Sequence, residues 1–154
     1  MKLYLMRHGQ AVNAMENVQR PLSQSGRLEA ENIAKQFRTQ KIKLREIWSS
    51  PLKRAAETAG IVAECCGVSG PKITHGLLPD DPPAGVEEKI ICFAAERKNG
   101  PLLIVSHLPL VACLLRNLAG AKGFADAEFP PARVFGLEYN GRCWTAAGSF
   151  TPEL

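Results

Sequence analysis

Two kinds of hydrophobic pattern alternate along the chain. Lys2 to Met6 and Pro101 to Val105 are short, nearly continuous apolar runs, as expected of parallel strands buried on both faces. Each leads into a histidine, His8 after the first and His107 after the second. From Ser25 to Gln40 the residues Gly26, Ala30, Ile33, Ala34 and Phe37 recur at helical spacing, with Arg27, Glu29, Glu31 and Lys35 turned outward, which predicts an amphipathic covering helix. Glu46 to Ser49 reads as another strand. Ser50-Pro51 then supplies an N-cap and a proline at the first helical position, and Leu52, Ala55, Ala59 and Val62 continue at helical spacing. A brief extended stretch, Lys72 to Leu78, precedes the turn-rich Pro79 to Gly85, either a functional rim or a connector. A helix from Val86 to Arg97, a strand from Leu102 to Val105 and a helix opened by Pro109 and running through Leu118 follow. Ala132 to Tyr139 and Arg142 to Ser149 predict two late strands joined by the hairpin dipeptide Asn140-Gly141. The whole predicts a three-layer α/β/α fold with minimal insertions, its central sheet mostly parallel with a late antiparallel edge, in a single domain over residues 1–154.

Composition narrows the class. With 154 residues, 45% apolar and 22% charged, the chain is neither a disordered tail nor a collagen-like repeat nor a disulfide-stapled scaffold. Lys and Arg total 19 against 15 for Asp and Glu, and the resulting +4 is too small to imply nucleic-acid binding but suits an anionic ligand. Lys41, Lys43 and Arg45, interleaved with apolar residues and Glu46, read as a solvated helix face and loop. Cys65, Cys66, Cys92, Cys113 and Cys143 show no Cys-x-x-Cys spacing, and reduced, buried thiols in a cytoplasmic protein are expected. Met1 leads straight into strand-like residues and charged Arg7-His8, which leaves no room for a signal peptide, and no apolar run reaches membrane-spanning length.

The chemistry gathers at strand ends, where ligands bind in open α/β sheets. In Arg7-His8-Gly9 the arginine offers a bidentate fork for an oxyanion, the histidine a neutral nucleophilic nitrogen near pH 7, and the glycine a close backbone approach. The tripeptide alone equally suits an ordinary strand-end turn. Ser106-His107-Leu108-Pro109 repeats the arrangement of strand end, histidine and helix start, and Arg54 falls in the first turn of a helix after Ser49-Ser50-Pro51. Helix N-termini attract anions through unpaired N–H groups and the macrodipole, so these residues would concentrate positive potential where a phosphate could sit.

Leu5-Met6-Arg7-His8-Gly9, Arg20-Pro21-Leu22-Ser23-Gln24-Ser25-Gly26, Ser49-Ser50-Pro51-Leu52-Lys53-Arg54-Ala55 and Val105-Ser106-His107-Leu108-Pro109, in that order, resemble the motifs of the histidine phosphatase superfamily, of phosphoglycerate mutase-like fold. Within it the chain most resembles the SixA-like phosphohistidine phosphatases, in order from Met1 to about Leu118 and more loosely through the tail. The resemblance implies His8 as the nucleophile that becomes phosphorylated, Arg7, Arg54 and His107 as holders of the phosphoryl oxygens, and Arg20 as a further phosphate-facing arginine. It implies no cofactor. Phosphoryl transfer suits such a cation set because its loose transition state spreads charge over three equatorial oxygens. His8 must attack through one ring nitrogen while a backbone carbonyl holds the other as a donor.

Larger members of the superfamily use a rim-loop carboxylate to protonate an alcohol leaving group. The matching region, Leu77 to Gly85, offers only Asp80 and Asp81, which are equally good turn formers. An alkoxide approaches the basicity of hydroxide, with a conjugate-acid pKa of about 15.7 for water. A phosphorylated imidazole, by contrast, can be protonated on its other nitrogen and leave neutral. The expectation is therefore a monomeric phosphatase for a protein phosphohistidine, read through an open groove; by analogy its partner is a histidine phosphotransfer domain of a two-component signalling relay or a phosphocarrier protein. A small phosphomonoesterase using Asp80 or Asp81, and a non-catalytic phosphate-recognition module, are the alternatives. His75 stands outside every motif and has no assigned role; no metal-ligand spacing occurs. Ser50-Pro51-Leu52-Lys53 fits Ser-x-x-Lys but lacks the partner motifs of serine acylases.

Overall fold

The computed structural model describes residues 1–96, 100–120 and 128–154. In chain order the elements are β1 (Lys2–Arg7), α1 (Gln24–Thr39), β2 (Glu46–Ser49), α2 (Lys53–Cys66), β3 (Lys72–Ile73), α3 (Pro83–Ala95), β4 (Leu102–Ser106), α4 (Leu110–Ala119), β5 (Val134–Tyr139) and β6 (Trp144–Phe150). The strands form one sheet in the order β3-β2-β4-β1-β5-β6. Its first four strands are parallel, and β5 and β6 add an antiparallel edge.

Strand alternation divides the core into two halves. Leu3, Leu5, Leu102 and Ile104 point to one face, where they pack with Val86, Ile90 and Phe93 of α3 and Leu110, Val111 and Leu114 of α4. Tyr4, Met6, Leu103 and Val105 point to the other, against Ile33, Ala34 and Phe37 of α1 and Ala55, Ala59 and Val62 of α2. This is the predicted three-layer arrangement, and both faces of the central strands are dry, which accounts for their unbroken apolar runs.

The layering also places the site. After β1 the chain turns to the α1 face, whereas after its neighbour β4 it turns to the opposite face, so a crevice opens between their carboxyl ends. The residues that open it are His8 and His107.

Several local expectations change. The α2 helix begins at Lys53, with Leu52 at its N-cap and no side-chain cap bond, so Ser50 is not the cap and Pro51 lies outside the helix. Only Lys72 and Ile73 of the Lys72-to-Leu78 stretch pair in the sheet. The third helix starts at Pro83, inside the expected turn, because a proline is well tolerated at the first helical position; it ends at Ala95, and Arg97 lies outside the described residues. The last strand begins at Trp144, since Asn140 closes the preceding turn by accepting the Arg142 and Cys143 amides on Oδ1 at 2.9 and 3.0 Å. All five cysteines are free, yet none is buried: Cys92 and Cys143 are exposed, and Cys65, Cys66 and Cys113 lie at the margin between core and solvent. Lys41, Lys43 and Arg45 are exposed, as a solvated face requires. Among the described residues no helix is long and apolar enough to cross a membrane.

Candidate active site

Parallel pairing carries the strands just past their ends and aligns three residues. His8 donates its amide to Ser106 O at 3.0 Å, and Ser50 donates its amide to Val105 O at 3.2 Å. The two histidine rings come to lie 5.0 Å apart, centroid to centroid. Both residues are buried, with 6% of His8 and 2% of His107 accessible, so neither imidazole is solvated enough to ionise freely.

His8 Nδ1 donates to the carbonyl of Gly9 at 2.7 Å. A neutral imidazole carries one ring proton, so this bond leaves Nε2 with its lone pair. Burial, reinforced by the charges of Arg54, Arg7 and Arg20, pushes His8 down to about 4 in spite of the Gly9 bond. Burial likewise pushes His107 down to about 3, helped by His8, Arg54, Arg20 and Arg7. Both rings are therefore neutral at neutral pH, and both feel the same three arginines.

The arginines reach the crevice from different elements. Arg7 ends β1 and donates Nη1 to Phe129 O at 2.9 Å. Arg54 stands in the first turn of α2. Arg20 belongs to the loop between β1 and α1, in a left-handed conformation (φ 46°), with Nε donating to Val12 O at 3.2 Å. Burial lowers the pKa of both Arg7 and Arg54, with Arg20 lowering each further, so the cations are close enough to repel one another. Among the described residues four buried side-chain nitrogens lack a protein hydrogen-bond partner, and three of them, Arg7 Nε, Arg54 Nε and His107 Nδ1, belong to this cluster, the fourth being Arg133 Nε. Mutually repelling cations with unpaired buried N–H groups are stabilised by an anion between them. His8, Arg7, Arg54, Arg20 and His107 thus come together at one end of the sheet.

Gly9 has a steric reason for being glycine within the protein itself. Its amide donates to Thr58 Oγ1 at 3.1 Å, and a Cβ there would lie 2.7 Å from Gly26 O. Conversely a Cβ on Gly26 would lie 2.0 Å from Gln10 O. The two glycines let the start of α1 press against the strand-end loop. Thr58, which also donates to Arg54 O at 2.7 Å, links that loop to α2.

The rim loop is tied to the sheet where Ser106 Oγ donates to Leu77 O at 2.7 Å. Asp81 closes a turn in it, with Oδ2 accepting from the Leu78 amide at 2.8 Å and its own amide donating to Leu78 O at 3.1 Å. Asp80 is exposed. His75 is exposed too, and its carbonyl accepts from Lys89 Nζ at 2.7 Å. Among the described residues no cluster of metal-ligating side chains occurs. Sequence reasoning missed three contributors: Thr58, the carbonyl of Phe129, and Ser50, whose Oγ lies 2.8 Å from His107 Nε2. Phe129 acts through its backbone and leaves no signal; Ser50 was visible in the motif but read as a cap.

A buried neutral histidine within electrostatic reach of three guanidinium groups, at the carboxyl edge of a doubly wound sheet, defines a class. The chain belongs to the histidine phosphatase superfamily, whose branch 1 model matches residues 3–77, and it is a hydrolase of the histidine-nucleophile type. Among its relatives is the phosphohistidine phosphatase SixA of Escherichia coli (strain K12), 30% identical over 135 residues that span 85% of this chain and 78% of that protein. The structure of the protein histidine phosphatase SixA complexed with tungstate matches it with a TM-score of 0.89 at 25% identity, over 99% of this chain and 97% of that one. A mycobacterial glucosyl-3-phosphoglycerate phosphatase shares the fold, with a TM-score of 0.76 at 19% identity over 95% and 96% of the two chains.

Proposed function

We propose that this protein hydrolyses phosphohistidine on a partner protein, through a phosphoenzyme intermediate on His8. The observation that carries the reading is the pairing of a neutral His8, Nδ1 fixed on Gly9 O, with unpaired buried nitrogens on Arg7, Arg54 and His107. That is a nucleophile facing an oxyanion clamp.

In the first step the His8 Nε2 lone pair forms a bond to phosphorus as the P–N bond of the substrate breaks. The substrate ring, protonated beforehand on its other nitrogen, takes back the electron pair and leaves as neutral imidazole. Arg7, Arg54, Arg20 and His107 hold the three equatorial oxygens, where fixed donors stabilise the spread charge without reorganising. His8 is then a phosphorylated imidazolium, its Nδ1 proton still on Gly9 O. In the second step water attacks phosphorus, the P–N bond breaks, and His8 Nε2 recovers its lone pair. One water proton remains on the phosphate hydroxyl and the other passes to a phosphate oxygen or to solvent.

Neither step needs a carboxylic acid. The Asp81 carboxylate is engaged in closing its own turn, and Asp80 faces solvent. An alkyl phosphate would need one, so the site suits phosphoramidates better. Two connections at this edge of the sheet are three residues each, Ser50 to Leu52 and His107 to Pro109, while the one after His8 runs to Ser23; the short pair supports an open groove able to admit a side chain from a folded partner. The SixA relatives, named for phosphohistidine and in one case bound to tungstate, a tetrahedral oxyanion, support the same substrate class. A histidine phosphotransfer domain or a phosphocarrier protein would present such a side chain.

The test compares hydrolysis of a phosphohistidine protein with that of alkyl phosphates, by wild type, His8→Ala and Asp80→Asn. Rapid mixing with labelled substrate and an acid-free quench should label wild type and not His8→Ala. Preference for alkyl phosphates, abolished in Asp80→Asn, would replace this reading with a phosphomonoesterase.

A further inference from the structure

We propose that Ser50 is a positioning residue that holds His107 in the Nδ1–H tautomer, so that His107 meets a phosphoryl oxygen as a hydrogen-bond donor. The inference rests on the reading that an oxyanion occupies the crevice, and it concerns a residue that neither the motif nor the fold had assigned to the site.

The argument is a count of protons in a closed space. Ser50 is fully buried, and its Oγ has two partners among the described residues: the Leu52 amide at 3.2 Å and His107 Nε2 at 2.8 Å. The amide can only donate, so it occupies a lone pair of the hydroxyl. The hydroxyl proton then has one acceptor in reach, the Nε2 lone pair. If Nε2 carried the hydrogen instead, Ser50 Oγ would accept twice and its own proton would be buried without a partner. His107 Nδ1, the buried nitrogen that no protein group satisfies, would meanwhile present a lone pair to an incoming oxygen. With Ser50 donating, every proton is placed once an oxyanion is bound.

The choice matters because His107 is neutral at neutral pH, held there chiefly by burial. An imidazolium would donate from both nitrogens whatever Ser50 did; a neutral ring has one proton to place. Ser50 is well fixed for the task. Its amide is bonded to Val105 O, and Ser49 Oγ donates to its carbonyl at 2.8 Å. The two histidines thereby share the Nδ1–H tautomer but use opposite ends of it: His8 presents its Nε2 lone pair, and His107 presents its Nδ1 proton. Backbone carbonyl Gly9 O holds the His8 proton on Nδ1 and so frees the Nε2 lone pair, whereas the Ser50 hydroxyl donates a hydrogen bond to His107 Nε2 and so keeps the single ring proton on Nδ1.

Nitrogen-15 NMR of histidine-labelled protein at neutral pH tests this without reference to turnover. In wild type, His107 should show a protonated Nδ1 and an unprotonated, hydrogen-bonded Nε2. In Ser50→Ala the ring should shift toward the Nε2–H form, and kcat on phosphohistidine should fall about 10- to 100-fold with a smaller change in KM, as when the orienting partner of a metal-bound histidine is removed. Ser50→Thr, which keeps the hydroxyl, should restore tautomer and rate together. A proton on Nε2 in wild type, or a Ser50→Ala tautomer unchanged from wild type, overturns the proposal whatever the rates. If the tautomers behave as stated while wild type fails to turn over phosphohistidine, the assignment of Ser50 is supported and the substrate reading fails.

Discussion

Burial of two neutral imidazoles makes acid sensitivity the most quantitative consequence of this site. An unfolded histidine titrates near 6.5, whereas His8 in the folded protein is pushed down to about 4. Between those values the unfolded chain binds more protons than the folded one, so stability rises with pH and is lost as pH falls through the window. From pH 7.5 to pH 5 the loss is about 2 kcal/mol for one such histidine, obtained from the difference in protonation free energy of the two states. Above pH 5 this figure depends almost wholly on the unfolded pKa, because the folded ring stays neutral throughout. His107, pushed down to about 3, contributes a similar amount. The assay is urea denaturation in phosphate-free buffer at several pH values from 7.5 to 5, for wild type, His8→Asn and His107→Asn. Each variant should lose stability less steeply than wild type, by about 2 kcal/mol over that range. A His8→Asn variant with the same slope as wild type would show that His8 titrates alike folded and unfolded, and the argument from burial and three neighbouring arginines would fall.

The other expectations concern single contacts. Arg54→Ala should weaken tungstate binding, read by calorimetry, and lower phosphoenzyme formation about 10²- to 10³-fold, the usual cost of deleting a preorganised donor; an unchanged rate would remove Arg54 from the clamp. Gly26→Ala places a Cβ 2.0 Å from Gln10 O, so α1 or the loop must shift, and a destabilisation of about 1–3 kcal/mol should appear as a lower Tm. Gly60→Ala, where a Cβ meets nothing within 4 Å, is the matched control and should be neutral or slightly stabilising. Asp80→Asn should leave phosphohistidine hydrolysis within about twofold of wild type, because the leaving imidazole needs no rim acid; a large loss in kcat would install Asp80 as that acid.

What could be read without coordinates followed from burial on both faces of the sheet. Leu3 to Met6 and Leu102 to Val105 are apolar at every position because helices cover both sides, and such runs identify parallel strands unaided. Gly26, Ala30, Ile33, Ala34 and Phe37 predicted the buried face of α1 residue for residue. The strand β3 was overextended because its two paired residues are exposed, so no core constraint marks where pairing stops. Ser50 was misread for an instructive reason. A serine before a proline has the sequence signature of a cap, yet its hydroxyl is engaged by His107, fifty-seven residues away in the chain. The same oxygen does accept a local amide, that of Leu52, but the helix starts only at Lys53, and local rules cannot show a long-range contact that shares the atom. Phe129 O and Thr58 stayed invisible on the same grounds: one acts through its backbone, the other as an ordinary polar residue on a helix. The cysteines, read as buried, sit at the edges of amphipathic helices and a hairpin, where composition cannot separate margin from core.

A crystal structure of the protein grown with vanadate tests the central claim most directly. Vanadium should lie within bonding distance of His8 Nε2, with Arg7, Arg54 and His107 Nδ1 donating to its oxygens and Nδ1 of His8 still bonded to Gly9 O. Vanadate bound elsewhere, or the side chains of His8 and Arg54 turned to different surfaces with no oxyanion between them, would contradict the account.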